Sequence, residues 1–177
     1  ATAASNPSAG KYWWSFDGSN DSLLSGNLGI TTACTIVIAG RVDNLVGSKI
    51  LFSEATNGAQ AYIGSTGAVY LEKTSIAGLA TSSAGAIVAG VPFVLTFRLS
   101  SGTAVIRKDG VQIVMAATAQ TFSATTGMRV GAEFAGTLYP LNGALGWVVP
   151  LPVALSDADC LTVERLVSSQ FPNGPVF

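Results

Sequence analysis

Histidine is absent from this chain of 177 residues, so few side chains are left to do chemistry. Serine–histidine triads, cysteine–histidine dyads and metal sites built on imidazole have no members here. Carboxylates lead the general acids and bases that remain, and only four of them are glutamates: Glu54, Glu72, Glu133 and Glu164. Glycoside cleavage on a β-sandwich needs two carboxylates about 5 to 10 Å apart, set by strand alternation in a Glu-x-Asp-x-x-Glu pattern. None of the four stands in such a pattern. A polysaccharide lyase would group His, Tyr, Arg and Gln, and lacks its histidine. The expectation is a chain without catalysis.

Binding chemistry is better represented. Asp17, Asn20 and Asp21 are oxygen donors close in sequence, of the kind calcium takes six to eight at a time. Two carboxylates fall short of a full ligand series, so these residues are expected to fix a turn through side-chain to backbone bonds. Sugar recognition needs aromatic faces for stacking and planar polar groups for hydroxyls. Tyr62, Tyr70 and Tyr139 offer the rings. Arg41, Glu54, Asn57, Gln60, Arg129 and Glu133 are the candidate hydrogen-bonding neighbours. Tyr62 and Tyr70 lie eight residues apart across a predicted hairpin, which lets them share a face. The competing reading buries these rings at a sheet edge and satisfies the hydroxyls there. Trp147, inside "LGWVV", reads as core. Cys34 and Cys160 could form one bridge or stay as small free core residues.

The elements that must carry these groups are strands. Hydrophobic residues make up 49% of the chain and charged ones 11%, with Ala, Gly, Val, Ser and Thr in excess, which disfavours a helical bundle. Nine scattered basic residues and a net charge of −1 give no footprint for nucleic acid or an anionic membrane. No apolar run approaches the eighteen or so residues of a membrane span, and no signal peptide is visible. Residues 1–10, "ATAASNPSAG", read as a linker or arm, and residues 11–177 as one domain.

β-type runs occupy 35–42, 48–54 and 61–73, the last a hairpin around Ser-Thr-Gly. In 91–100, Phe93, Leu95, Phe97 and Leu99 alternate with Val94, Thr96 and Arg98, the pattern of a half-buried strand. A hairpin turning at Asp109-Gly110 follows, then strands over 127–134 and 142–153, the latter ended by Pro150 and Pro152. In "KYWWSFDG", alternation puts Trp13 opposite Trp14 and Phe16, so the adjacent tryptophans cannot make one platform. Near the C-terminus, Ser156 and Asp159 mark a cap, and Cys160, Val163 and Val167 recur at helical spacing beside Leu166. The fold class is all-β: an antiparallel two-sheet sandwich closed by a short helix.

The order of these segments resembles the laminin G-like, concanavalin A-like jelly rolls. "FDGSND" at 16–21 is similar to the end of their first strand. "CTIVIAGRV" matches an early strand, with Gly40 at a usually aromatic position. "VPFVLTFRL" matches a later one without its Trp and His. "AVIRKDG" corresponds to a hairpin, with Lys108 where an apolar residue is usual. "MRVG" at 128–131 and "LNGALGWVVPLPVALSDADC" complete the set, which runs from Tyr12 to Phe171. The resemblance implies two antiparallel sheets, one of them concave, on which sugar binding, protein binding and glycan cleavage all occur.

Very low charge, small apolar residues and an N-terminal arm also resemble the make-up of bacteriophage tail fibres and virion surface domains. The expectation is therefore a recognition or adhesion domain of a virion, extracellular, with a cell-surface glycan as ligand. Other fibre subunits, and sister chains in a trimer, are the expected protein partners. The alternatives are a decoration or oligomerisation module without a small ligand and, third, a glycan hydrolase or lyase. No cofactor is expected, calcium near Asp17, Asn20 and Asp21 being disfavoured.

Overall fold

A computed structural model describes residues 2–6, 11–26, 33–54, 58–73, 76–120, 127–134 and 138–177. The strands are β1 (Thr2–Asn6), β2 (Lys11–Asp17), β3 (Leu23–Leu24), β4 (Cys34–Val42) and β5 (Lys49–Glu54). β6 (Ala59–Ile63), β7 (Val69–Lys73), β8 (Ile76–Thr81) and β9 (Phe93–Ser100) follow. β10 (Thr103–Lys108), β11 (Val111–Ala117), β12 (Met128–Val130) and β13 (Asn142–Leu151) precede the helix α1 (Asp157–Gln170). They form a seven-stranded sheet, β1-β2-β13-β4-β9-β10-β11, and a six-stranded sheet, β3-β12-β5-β6-β7-β8. Every described pairing is antiparallel. β1 lies within the stretch read as an arm and adds an edge strand to β2.

The core lies between the sheets, where Ile36, Ile38, Phe93 and Phe97 meet Phe52 and Leu71. Phe52 and Phe97 touch edge to face, with centroids 5.5 Å apart. Phe16 joins this core while Trp13 packs with the outer layer, as alternation in β2 requires. Gly40 is where the chain must come close: a Cβ there would stand 2.6 Å from Leu145 Cδ2. At the hairpin tip, Asp109 and Gly110 take φ of 48° and 82°, the left-handed pair that a two-residue turn demands.

α1 covers the outer face of the seven-stranded sheet, over β4, β9 and β13. Ser156 caps it, its hydroxyl accepting the Asp159 N–H at 3.2 Å, and Asp157 and Asp159 suit the positive helix end. Val37, Ala39, Val94 and Ala144 pack there against Val167 and Phe171. β9 is consequently buried on both faces up to Phe97, not on one as its alternation suggests.

Two further expectations change. β13 runs through Pro150, which pairs with Ile36, because β2 accompanies β13 only as far as Leu145. Beyond that point β13 has a neighbour on one side only among the described residues, where a proline is tolerated. Trp147 is not core. It is 48% exposed, at the register shift between Leu145 and Val148 that turns it outward.

Candidate functional site

The outer face of the six-stranded sheet carries a different set of side chains. In β6, Ala59, Ala61 and Ile63 face the core and Gln60 and Tyr62 face out; in β7, Val69 and Leu71 face in and Tyr70 and Glu72 out. Register places Tyr62 opposite Tyr70 and Gln60 opposite Glu72. The two tyrosine rings stack in parallel, centroids 4.6 Å apart and planes 6° from one another. Tyr70 in turn leans on Gly64, where a Cβ would stand 2.9 Å from its Cε2.

Tyr62 borders a depression of about 180 Å³ lined by Ser48, Ile50, Gln60, Tyr62, Glu72 and Tyr139. The Tyr62 hydroxyl donates to Glu72 Oε1 at 2.9 Å. Burial, and then that bond to a carboxylate, push its phenol above the usual range, so it stays a donor. The Gln60 side-chain oxygen accepts from Ser53 Oγ at 3.2 Å, so its amide nitrogen is the end left to donate. Tyr139 arrives from the segment before β13. It is 51% exposed with φ of 55°, and its carbonyl accepts the Ile50 N–H at 3.0 Å. A non-glycine residue held in that region signals a local constraint.

The structure thus brings together Tyr62, Tyr70, Tyr139 and Gln60 of the residues singled out in the sequence. Arg129 shares the same outer face through the pairing of β12 with β5 and donates to Ser22 Oγ at 2.9 Å. Glu133 lies in the segment leading to Tyr139, its N–H bonded to the Leu138 carbonyl at 3.3 Å, and does not line the depression. Arg41 belongs to the other sheet and pairs with Asp43 at 2.7 Å. Glu54 points inward and is 1% exposed, because the irregularity between Ile50 and Phe52 resets which β5 side chains face the core. Its Oε2 accepts the Ala59 N–H at 2.8 Å, yet burial pushes its pKa up to about 7. Asn57 lies outside the described residues. Glu72 was missed, although its place two residues after Tyr70 in a strand puts it on the same face.

The acidic turn after β2 holds itself together. Asp17 N–H donates to Asp21 Oδ2 at 3.0 Å and Ser19 N–H to Asp17 Oδ1 at 2.8 Å, with Gly18 at φ 82°. Among the described residues no three Cys, Asp or Glu side chains gather to hold a metal. The two cysteines are free and on opposite sides of the seven-stranded sheet: Cys34 in the inter-sheet core, Cys160 on α1. Burial lifts the Cys34 thiol to about 12, so it is inert as a nucleophile. The four glutamates stand on four separate segments: β5, β7, the 131–141 connection and α1.

No protein-family model matches the sequence, and no curated protein matches it. Solved structures do. The CBM40 of Ruminococcus gnavus IT-sialidase, bound to α2,3-sialyllactose, aligns with 86% of this chain and 97% of its own at TM-score 0.65 and 14% identity. A heptameric SAP-like pentraxin from Limulus polyphemus aligns with 97% of this chain and 88% of its own at TM-score 0.64 and 14% identity. Domain 4 of AbnA, an extracellular arabinanase of Geobacillus stearothermophilus in complex with arabinotriose, gives TM-score 0.60 and 12% identity over 79% of this chain and 70% of its own. At such identities the likeness establishes the fold: a jelly-roll β-sandwich of the lectin-like kind.

Proposed function

We propose that the chain is a non-catalytic recognition domain that takes a cell-surface glycan on the outer face of the six-stranded sheet. The observation that carries this reading is the Tyr62–Tyr70 stack beside Tyr139, Gln60 and Glu72. A pre-stacked ring loses little freedom when a sugar covers it, and the polar groups beside it can fix hydroxyl positions. Sugars held by two of the similar structures, sialyllactose and arabinotriose, support the same reading. Within the jelly rolls, the ordered motifs from "FDGSND" to "ALSDAD" support a laminin G-like domain. Low charge and small-residue composition support a place on a phage fibre or virion surface, outside the cell.

A glycan array run on the intact chain tests this. Saturable binding that Tyr62→Ala or Tyr70→Ala lowers at least tenfold, with the melting transition kept, is the expected result. No binding across a broad array, or turnover of a polysaccharide, overturns it.

A second reading, an oligomerisation or decoration module, draws on another observation. Trp147, Val149 and Leu151 of β13 and Val163, Leu166 and Val167 of α1 line an apolar groove of about 440 Å³. Exposed apolar surface of this kind suits packing on sister chains, a trimer in the fibre case. Leu166→Lys would then shift the mass in solution to that of a monomer. A chain already monomeric before substitution removes this reading.

A further inference from the structure

Among the described residues lining the depression beside the tyrosine stack, one side chain is charged, and it is the carboxylate of Glu72. Glu72 Oε1 is engaged by the Tyr62 hydroxyl, while the rest of its lone pairs are acceptors. Gln60, with its oxygen turned to Ser53, presents amide donors, and Ser48 adds a hydroxyl. Ile50 and Tyr139 supply apolar and aromatic wall. Among the described residues no cation lines the depression. Arg129, the guanidinium on the same sheet face, stands on β12, one strand from Ile50 and two strands from Gln60 and Tyr62, the latter roughly 10 Å at the usual strand spacing. Its Nη1 donates to Ser22 Oγ, and its Nε is buried without a hydrogen-bond partner among the described residues, turned away from solvent.

A sugar seated here would give hydroxyl protons to Glu72, accept from Gln60 and Ser48, and lay a C–H face on Tyr62. A ligand carboxylate would instead meet a like charge at hydrogen-bond range, with neutral donors but no cation among the described lining residues to offset it. From this juxtaposition we infer that the ligand is a neutral sugar residue, and that Glu72 is the side chain that rejects acidic glycans. This rests on the recognition reading and narrows it to one chemical class. It sets this chain apart from the sialyllactose-bound CBM40 whose fold it shares.

The test is an array carrying neutral oligosaccharides beside sialylated and uronate-terminated ones, probed with the unaltered chain, Glu72→Gln and Arg129→Ala. Neutral glycans should bind at least 100-fold more tightly than acidic ones of matched length. Glutamine keeps an acceptor for the Tyr62 hydroxyl and removes the charge, so Glu72→Gln should close that gap at least tenfold. Arg129→Ala should leave neutral binding within about twofold. Acidic glycans binding as well as neutral ones, or better, overturns the inference while leaving recognition intact; their loss in Arg129→Ala would identify the guanidinium as the anchor. An unchanged gap in Glu72→Gln also overturns it. No binding to either class overturns the recognition reading and this inference together.

Discussion

The two sheets of the sandwich follow the same pleat, yet their outer faces have opposite fates. On the seven-stranded sheet, α1 lies across β4, β9 and β13, and even the outward residues Val37, Ala39 and Val94 are buried. On the six-stranded sheet, the outward residues of β6 and β7 are Gln60, Tyr62, Tyr70 and Glu72, and they reach the surface. Alternation assigns a side chain to a face; what the face meets is decided by another element. One outer face has become a second core, and the other stays open to solvent.

The helix-covered face should break most severely. Arg107 on β10 and Glu164 on α1 form a bidentate pair, Nε to Oε1 at 2.7 Å and Nη2 to Oε2 at 3.3 Å, both side chains almost fully buried. The Glu164 hydrogen bond raises the Arg107 pKa further, so the guanidinium cannot escape by losing its proton. Glu164→Ala leaves that charge only the Gly110 carbonyl at 2.8 Å and the exposed Asp157 carboxylate at 3.6 Å, and urea unfolding should show a loss of about 3–4 kcal/mol. Replacing both partners, Arg107→Met with Glu164→Leu, should recover most of it, since a buried pair gains little over apolar packing. A small effect in the single variant would mean that α1 is not pinned to the sheet by this pair.

Between the two outer faces sits a carboxylate with a different partner set. Glu54 accepts a backbone N–H where Glu164 has an arginine. Its pKa stands at about 7 in the folded chain against an ordinary 4.5, burial being the cause. The folded state therefore holds this proton more tightly than the unfolded one, and protonation stabilises the fold. Stability should be highest below pH 4.5, as far as this group is concerned, and fall as pH rises through about 7. The fall should be on the order of 3 kcal/mol. Glu54→Gln should flatten the profile over this interval, as followed by denaturant midpoints at stepped pH. A profile that keeps its slope in the variant would assign the effect to another group.

How much of this contrast is legible in the sequence depends on how local its cause is. The β6–β7 hairpin, the Asp109-Gly110 turn and the Ser156 cap are set by residues within a few positions of each other, and reading them needs only period and turn chemistry. The Tyr62–Tyr70 apposition follows from the same hairpin register. Glu54 and Trp147 do not follow, because each sits beside a register shift that one strand imposes on its neighbour. A shift of one residue exchanges inside for outside, and no pattern within β5 or β13 announces it. In sequence Arg41 joins the tyrosines, because residue type is visible there and sheet membership is not. The double burial of β9 was likewise hidden, since the helix that causes it comes some 60 residues later.

The smallest expected effect sharpens the contrast from the six-stranded side. Tyr139 holds φ of 55°, a region that disfavours a residue with a Cβ by roughly 1–2 kcal/mol. Its carbonyl bond from Ile50 N–H needs the backbone there but not the ring. Tyr139→Gly keeps that bond and relieves the conformation, though glycine returns part of the gain through the freedom of the unfolded chain. The net expectation is a stabilisation of a few tenths of a kcal/mol up to about 1 kcal/mol, read as a higher denaturant midpoint with an unchanged slope. Glycan binding should fall in the same variant, because one wall of the depression is gone. A position where the natural residue lowers stability and supports binding is what a ligand face produces and a covering helix does not. If Tyr139→Gly destabilises the chain and leaves binding untouched, Tyr139 is a packing residue and the depression loses that wall as a ligand contact.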